Sequence, residues 1–208
     1  MTIEEYILAH IDEEDPLLKE LWRDANVNLL RPRMLSGHLQ GRLLKLFCRM
    51  MRPQRVLEIG TYTGYATLCM AEGLSEGAMV HTIEINDEME DFILNYFSKS
   101  PHRRKITLHI GDAMRIIPTL DEMFDMVFID ADKRLYAEYY DLVFPIVRPG
   151  GLILADNTLW DGKVVEEIHP SDKQSQGILA FNEKIKADDR IEKIILPMRD
   201  GLTMMWKK

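Results

Sequence analysis

The sequence predicts an α/β fold: a mostly parallel, seven-stranded sheet with helices on both faces and an antiparallel hairpin at the C-terminus. Three observations lead there. From Arg55 onward, short apolar runs alternate with segments of helical periodicity, which is the pattern of βα units. Two of these runs end directly in an acid, at Ile129-Asp130 and Ala155-Asp156, as strands do where a parallel sheet opens onto a crevice. Last, residues 191–196 and 202–206 flank Met198-Arg199-Asp200-Gly201, a glycine turn between two apolar runs. With 208 residues, 46% of them hydrophobic, the chain is long enough for one well-buried domain, in which helices of residues 1–52 pack on a core of residues 53–208.

Each element has a local reason. Thr2 and Glu5 stand at capping-box spacing, and Ile3, Ile7, Leu8 and Ile11 recur at helical intervals, so residues 3–12 form a short amphipathic helix. Asp15-Pro16 restarts the pattern, because Asp caps and Pro suits the first helical position. Leu17, Leu18, Leu21 and Trp22 then carry an apolar stripe to about Ala25. A third helix spans Ser36 to Met51 with Leu39, Leu43, Leu44, Phe47 and Met51 inward, and Pro53 ends it. Strands at 55–59, 79–85, 106–110, 126–129 and 151–155 alternate with helices at 66–73, 87–98, 114–120 and 137–147. A last helix at 175–187 precedes the hairpin, and 168–176 is the one stretch expected to be a mobile loop.

Composition excludes several classes of function. The 34 acids outnumber the 26 bases, for a net charge of −8, which argues against a protein holding nucleic acid mainly through phosphate contacts. Cys48 and Cys69 are the only cysteines and have no metal-type spacing, so a reducing compartment is expected. The acidic start lacks the basic, apolar pattern of a signal peptide, and no apolar run approaches the ~20 residues of a membrane span. A soluble, cytoplasmic protein is the expectation.

The loop after the first strand reads Glu58-Ile59-Gly60-Thr61-Tyr62-Thr63-Gly64-Tyr65. Glycine belongs there because a Cβ would block a ligand from the backbone. The spacing is E-x-G-x-x-x-G rather than G-x-G-x-x-G, and a carboxylate beside the loop suits a ligand with an amino group or a cation better than a pyrophosphate. Glu84 closes the second strand, where a carboxylate can accept from two ribose hydroxyls. Together with Gly111-Asp112-Ala113 after the third strand, this points to an adenosine-containing ligand.

Asp130, Asp156 and Asn157 lie past the ends of two strands and should converge on one crevice. Two carboxylates and an amide oxygen are hard donors, suited to Mg²⁺, Mn²⁺ or Ca²⁺ rather than zinc. Lys133 has two readings: a surface lysine, or a general base whose ammonium is disfavoured beside a bound cation. Trp160 likewise reads either as an aromatic platform at the mouth of the site or as a core tryptophan.

The Gly60–Tyr65 loop, Asp125-Met-Val-Phe-Ile-Asp-Ala-Asp-Lys133 and Ala155-Asp-Asn-Thr-Leu-Trp-Asp-Gly162 together resemble the cation-dependent O-methyltransferases of the caffeoyl-CoA and catechol type, from about Met34 to the C-terminus. These are Rossmann-like class I methyltransferases that use S-adenosylmethionine (SAM). The resemblance implies a metal bound by Asp130, Asp156 and Asn157, with Mg²⁺ first in line, and Lys133 as base. For the cofactor it implies Ser36, Glu58, Gly60, Thr61, Tyr65, Glu84, Asp112, Ala113 and Asp130, and on the acceptor side Trp160 and Asp161. Ala66 departs from the family, many of whose members have Ser there, and the segment after Trp160 is unlike that of plant members, so a caffeoyl-CoA substrate does not follow.

The implied reaction moves the SAM methyl group to a hydroxyl of a small catechol-like or vicinal-diol acceptor. A related branch methylates hydroxyuridine in tRNA, and Lys99, Arg103, Arg104 and Lys105 would be its local basic patch. A noncatalytic SAM- or nucleotide-binding protein is the alternative from another class. Family members are commonly dimers, and a homodimer through Ile7, Leu18, Leu21 and Trp22 is expected.

Overall fold

Seven strands form one sheet in the order β3-β2-β1-β4-β5-β7-β6: β1 (Arg55–Ile59), β2 (Met79–Glu84), β3 (Ile106–Ile110), β4 (Phe124–Ile129), β5 (Val147–Asp156), β6 (Ile191–Leu196) and β7 (Leu202–Lys207). The structure, a computed structural model, describes all residues from 1 to 208. The pairings β1–β4, β2–β3 and β4–β5 are parallel, and β7 runs antiparallel to both β5 and β6. The chain divides into two units, residues 1–54 with 61–110, and residues 55–60 with 111–208.

The first unit holds α1 (Ile3–His10), α2 (Pro16–Asn28), α3 (Gly37–Met51), α4 (Tyr65–Gly73) and α5 (Glu90–Lys99) with β2 and β3. The capping box forms as spaced, Thr2 and Glu5 bonding each other's backbone N–H, and Asp15 accepts from Leu17 N at 2.8 Å. Its core gathers Leu18, Leu21, Ala25, Tyr65, Leu68, Cys69, Ile93 and Phe97. Leu18 and Leu21 are therefore committed to their own chain and leave the expected dimer surface, whereas Trp22 stays 49% exposed. The inward face of α3 also differs from expectation: Gln40, Gly41, Arg42, Leu44, Phe47 and Cys48 are buried, and Leu39, Leu43 and Met51 sit at the rim. The reason is a close crossing with α4. A Cβ on Gly41 would stand 2.6 Å from the Cys69 sulfur, and one on Gly73 2.7 Å from the Cys48 Cβ, so glycine on each helix sets the rotation. Arg42 stays buried because Glu72 pairs with it at 3.1 Å and also with Lys45.

The second unit holds α6 (Ala113–Ile116), α7 (Tyr136–Val143) and α8 (Lys173–Ala187) with β1, β4, β5, β6 and β7. Two expected helices are shorter. Residues 117–119, 133–135 and 144–146 are 3-10 turns, and β5 begins at Val147, paired with Phe124, rather than at Gly151. Part of the expected loop 168–176 is helix, because α8 starts at Lys173. Asp172 caps it, accepting from Ser175 N at 3.1 Å and Ser175 Oγ at 2.8 Å, and pairs with Lys163 at 2.9 Å. Those bonds, the Lys163 one first, pull the Asp172 carboxyl down to about 2. A depressed carboxyl lends stability that is complete above the ordinary aspartate value of ~3.9 and is lost as pH falls toward 2. Asp172→Asn should thus flatten the acid limb of an unfolding curve followed by circular dichroism between those values, and an unchanged limb would show the cap contributes nothing there.

Candidate active site

The register of β4 and β5 sets Ile129 opposite Ala155, so the next residues, Asp130 and Asp156, emerge side by side at the carboxyl ends of adjacent parallel strands. Asp156 is 2% exposed, and its Oδ1 accepts from Asn157 N at 2.9 Å. Asn157 follows in the left-handed region, φ 58°. The Asp130 N–H donates to Ile59 O at 2.9 Å, which ties this end of β4 to the end of β1. Lys133 is buried and reaches back: its Nζ donates to Asp130 Oδ1 at 2.8 Å and to the Tyr136 hydroxyl at 2.6 Å. Of the two readings of this lysine, the surface one is excluded by its burial.

Tyr136 carries no signal in the sequence beyond lying three residues after Lys133, and it joins the cluster together. Its hydroxyl accepts from Lys133 and donates to Asp156 O at 2.9 Å, while its ring is fully buried edge-on against Phe181 at 5.5 Å. Burial, then the charges of Asp130 and Asp156, push the phenol well above its ordinary range, so it remains a neutral hydroxyl. Gly177 of α8 packs on the Lys133 turn so closely that a Cβ would stand 2.7 Å from Arg134 Cα and overlap the Lys133 carbonyl. Tyr136→Phe is expected to lower kcat about tenfold, with KM nearly unchanged, and to cost about 1–3 kcal/mol of stability, because Lys133 and the Asp156 carbonyl each lose a buried partner. Steady-state kinetics beside thermal melts check it, and an unchanged kcat would make Tyr136 purely structural.

The segment after Asn157 is held from two sides. Thr158 N and Leu159 N donate to Gly201 O and Asp200 O at 3.0 and 2.9 Å, so the β6–β7 turn braces it, and Asn182 Nδ2 of α8 donates to Thr158 O at 2.9 Å. Thr203 donates to the Thr158 hydroxyl at 2.7 Å. Trp160 and Asp161 follow at φ 48° and 53°, backbone that costs ~1–3 kcal/mol per residue and persists only where surroundings enforce it. The Asp161 N–H donates to Asp200, its side chain faces solvent, and the Trp160 indole N–H is buried with no hydrogen-bond partner.

The residues expected at the cofactor divide between the units. In the first, both Glu84 oxygens are oriented, Oε2 by Tyr62 N at 2.6 Å and Oε1 by Asn86 N at 2.9 Å. Thr61 shares a hydroxyl hydrogen bond with Thr82 at 2.5 Å, and Ser36 is buried at the start of α3 without capping it. The Tyr65 ring lies in the core and its phenol donates to Glu14, so Tyr65 would meet a ligand through its main chain. In the second unit, Glu58 is fully buried on β1, Asp112 caps α6 through Met114 N at 2.9 Å, and Ala113 is buried. Gly60 and Gly64 are needed for reasons within the protein. Their φ values are +100° and +82°, and a Cβ would meet the Asp130 carbonyl at Gly60 and the Phe97 ring at Gly64.

The sheet order and the antiparallel C-terminal pair are those of the Rossmann-like class I methyltransferase fold. The family model described as O-methyltransferase matches residues 9–208, and the chain belongs to that SAM-dependent family. It is 36% identical over 185 residues to caffeoyl-CoA O-methyltransferase 2 of Zea mays, spanning 82% of this chain and 69% of the relative. To a catechol O-methyltransferase of Niastella koreensis it is 34% identical over 163 residues, covering 76% and 73% of the two chains. Among solved structures, an O-methyltransferase from Bacillus cereus in complex with SAH superposes with a TM-score of 0.92 at 29% identity, covering 99% of this chain and 97% of that one. TomG from Streptomyces achromogenes, in complex with SAM, gives 0.91 at 28%, covering 100% and 99%. The likeness thus extends well upstream of Met34, into the N-terminal helices.

Proposed function

We propose that this methyltransferase moves the methyl group of SAM to one hydroxyl of a small catechol-like or other vicinal-diol acceptor, with a divalent cation, Mg²⁺ first, at Asp130, Asp156 and Asn157. The observation that carries the reading is the oxygen cluster at the ends of β4 and β5 with the Lys133 ammonium 2.8 Å from Asp130. The donor set fits such an ion: it is all hard oxygen, and Asp156 is too buried to be a solvated surface acid. When bound, the cation would favour the ionised form of an acceptor hydroxyl.

The chain's own residues supply the rest. Lys133, held by Asp130 and Tyr136, would take the proton from the acceptor hydroxyl as the neutral amine, the form that a cation at Asp130 would favour over the ammonium that pairs with Asp130 without it. Glu84 would hold the ribose hydroxyls with two oxygens already oriented by Tyr62 N and Asn86 N. Ser36, Glu58, Gly60, Thr61, the Tyr65 main chain, Asp112, Ala113 and Asp130 complete the cofactor set by family resemblance. Trp160 and Asp161 would border the acceptor, and much of the rate gain would come from holding the two reactants in line.

Labelled SAM with a panel of catechols, phenylpropanoid esters and bulk tRNA, with and without EDTA, tests this directly. Transfer to a diol that EDTA stops supports it, and transfer insensitive to EDTA or confined to tRNA overturns it. The basic patch for a tRNA acceptor is thinner than its sequence suggests: Lys99 pairs with Glu20 at 2.8 Å, and Lys105 donates to Leu74 O at 2.6 Å. A protein that SAM stabilises against heat but that modifies nothing in the panel would be the noncatalytic binder. A homodimer would bury Trp22 together with the exposed Ile3, Tyr6 and Leu8 of α1, and sedimentation velocity is its check. No helix is long and apolar enough to cross a membrane.

A further inference from the structure

We propose that His81 and His109 form a site for an imidazole-preferring divalent transition-metal ion, of the copper, nickel or zinc kind, that clamps the edge strand β3 to its neighbour β2. Register places Ile83 opposite His109 and His81 opposite Thr107, so the two histidines are diagonal neighbours on one face of the pair. Both side chains are partly exposed. His81 Nδ1 lies 3.1 Å from His109 Nε2, with ring planes 16° apart and centroids 5.3 Å apart.

Two ring nitrogens approach this closely only if one carries a proton and the other a bare lone pair, so at least one imidazole is neutral and competent as a ligand. His109 is favoured for that state, since burial first and then His81 hold it below the ordinary histidine value. The spacing suits a shared ion. With metal–imidazole bonds of ~2.0–2.1 Å, nitrogens 3.1 Å apart subtend about 98° at the metal, between the tetragonal and tetrahedral angles. Rotation about each Cβ–Cγ bond brings the lone pairs onto the ion, the bridging proton leaves to solvent, and water fills the remaining positions. Nitrogen donors with no carboxylate between them select the late first-row metals over Mg²⁺, so this pair differs in chemistry from the oxygen cluster. Since β3 stands at the end of the sheet order, a cross-strand clamp there would hold the one edge that β2 alone secures.

Copper(II) is the probe, added to the full chain in excess Mg²⁺. Paramagnetic resonance should show nitrogen hyperfine splitting from two equatorial imidazoles. His81→Gln and His109→Gln should each weaken binding by about tenfold or more. Wild type with added zinc should melt higher than in EDTA, and the variants should not. Copper binding that survives both substitutions overturns the proposal, as does a signal lost in Asp156→Asn and kept in the histidine variants. Should a variant fail to fold, wild-type NMR decides: selective broadening of both histidine ring signals by substoichiometric copper supports the site, and its absence overturns it.

Discussion

Asp156→Ala and Asp156→Asn are both expected to lower methyl transfer by about 10³-fold, roughly 4 kcal/mol of transition-state stabilisation. Asp156 is one of only two carboxylates at the ends of β4 and β5, and the more deeply buried. Without its charge, one carboxylate and one amide oxygen would remain for a cation. The pair of substitutions separates chemistry from folding. Asn keeps an oxygen to accept from Asn157 N, so Asp156→Asn should melt close to wild type, whereas Ala leaves that N–H without its acceptor and costs about 1–3 kcal/mol more. Turnover with labelled SAM beside thermal melts reads both quantities. An Asp156→Asn enzyme that keeps its metal-dependent rate would remove this carboxylate from the site.

Gly60→Ala is expected to damage the fold and the site together. Its φ of +100° is backbone that an L side chain adopts at a cost of ~1–3 kcal/mol. The added Cβ also overlaps the Asp130 carbonyl oxygen and stands 2.8 Å from its carbon, and overpacking of that kind costs a further ~1–3 kcal/mol. Against a typical total of ~5–15 kcal/mol the combined loss is large, equivalent to a fall in Tm on the order of 10 °C. Relief requires Asp130 to move, and with it the acid that Lys133 pairs with, so activity should fall further than stability alone accounts for. A Gly60→Ala protein that melts and turns over like wild type would show that the close approach of β1 to β4 is dispensable.

Much of the architecture was legible because it rests on local chemistry. The Thr2–Glu5 box, the Asp15-Pro16 start and the apolar runs ending in Asp130 and Asp156 signal their own structure within a few residues, and each forms, though β4 and β5 start earlier than their apolar runs suggest. The start of α8 was harder, since Asp172 caps it with help from Lys163, nine positions away and outside any local window. The inward face of α3 was misread because periodicity ranks side chains by polarity. What orients the helix is the absence of a side chain at Gly41 and Gly73, and Arg42 is buried beside them only because Glu72 is there to meet it.

The acids show the same division. Of 34, Glu58, Glu84, Asp130 and Asp156 were picked out by their places in loops and at strand ends, since a strand end identifies which residues face the crevice of a parallel sheet. By itself, then, the sequence determined the fold class and the family. Only the tertiary structure decided that Tyr136 links Lys133 to Asp156, that Tyr65 belongs to the core, that Gly60 makes room for Asp130, and that two histidines 28 positions apart meet across β2 and β3. The physical reason is range. Caps, periodicity and strand ends act over a few residues, whereas a hydrogen bond or a missing Cβ acts between segments that only folding makes neighbours.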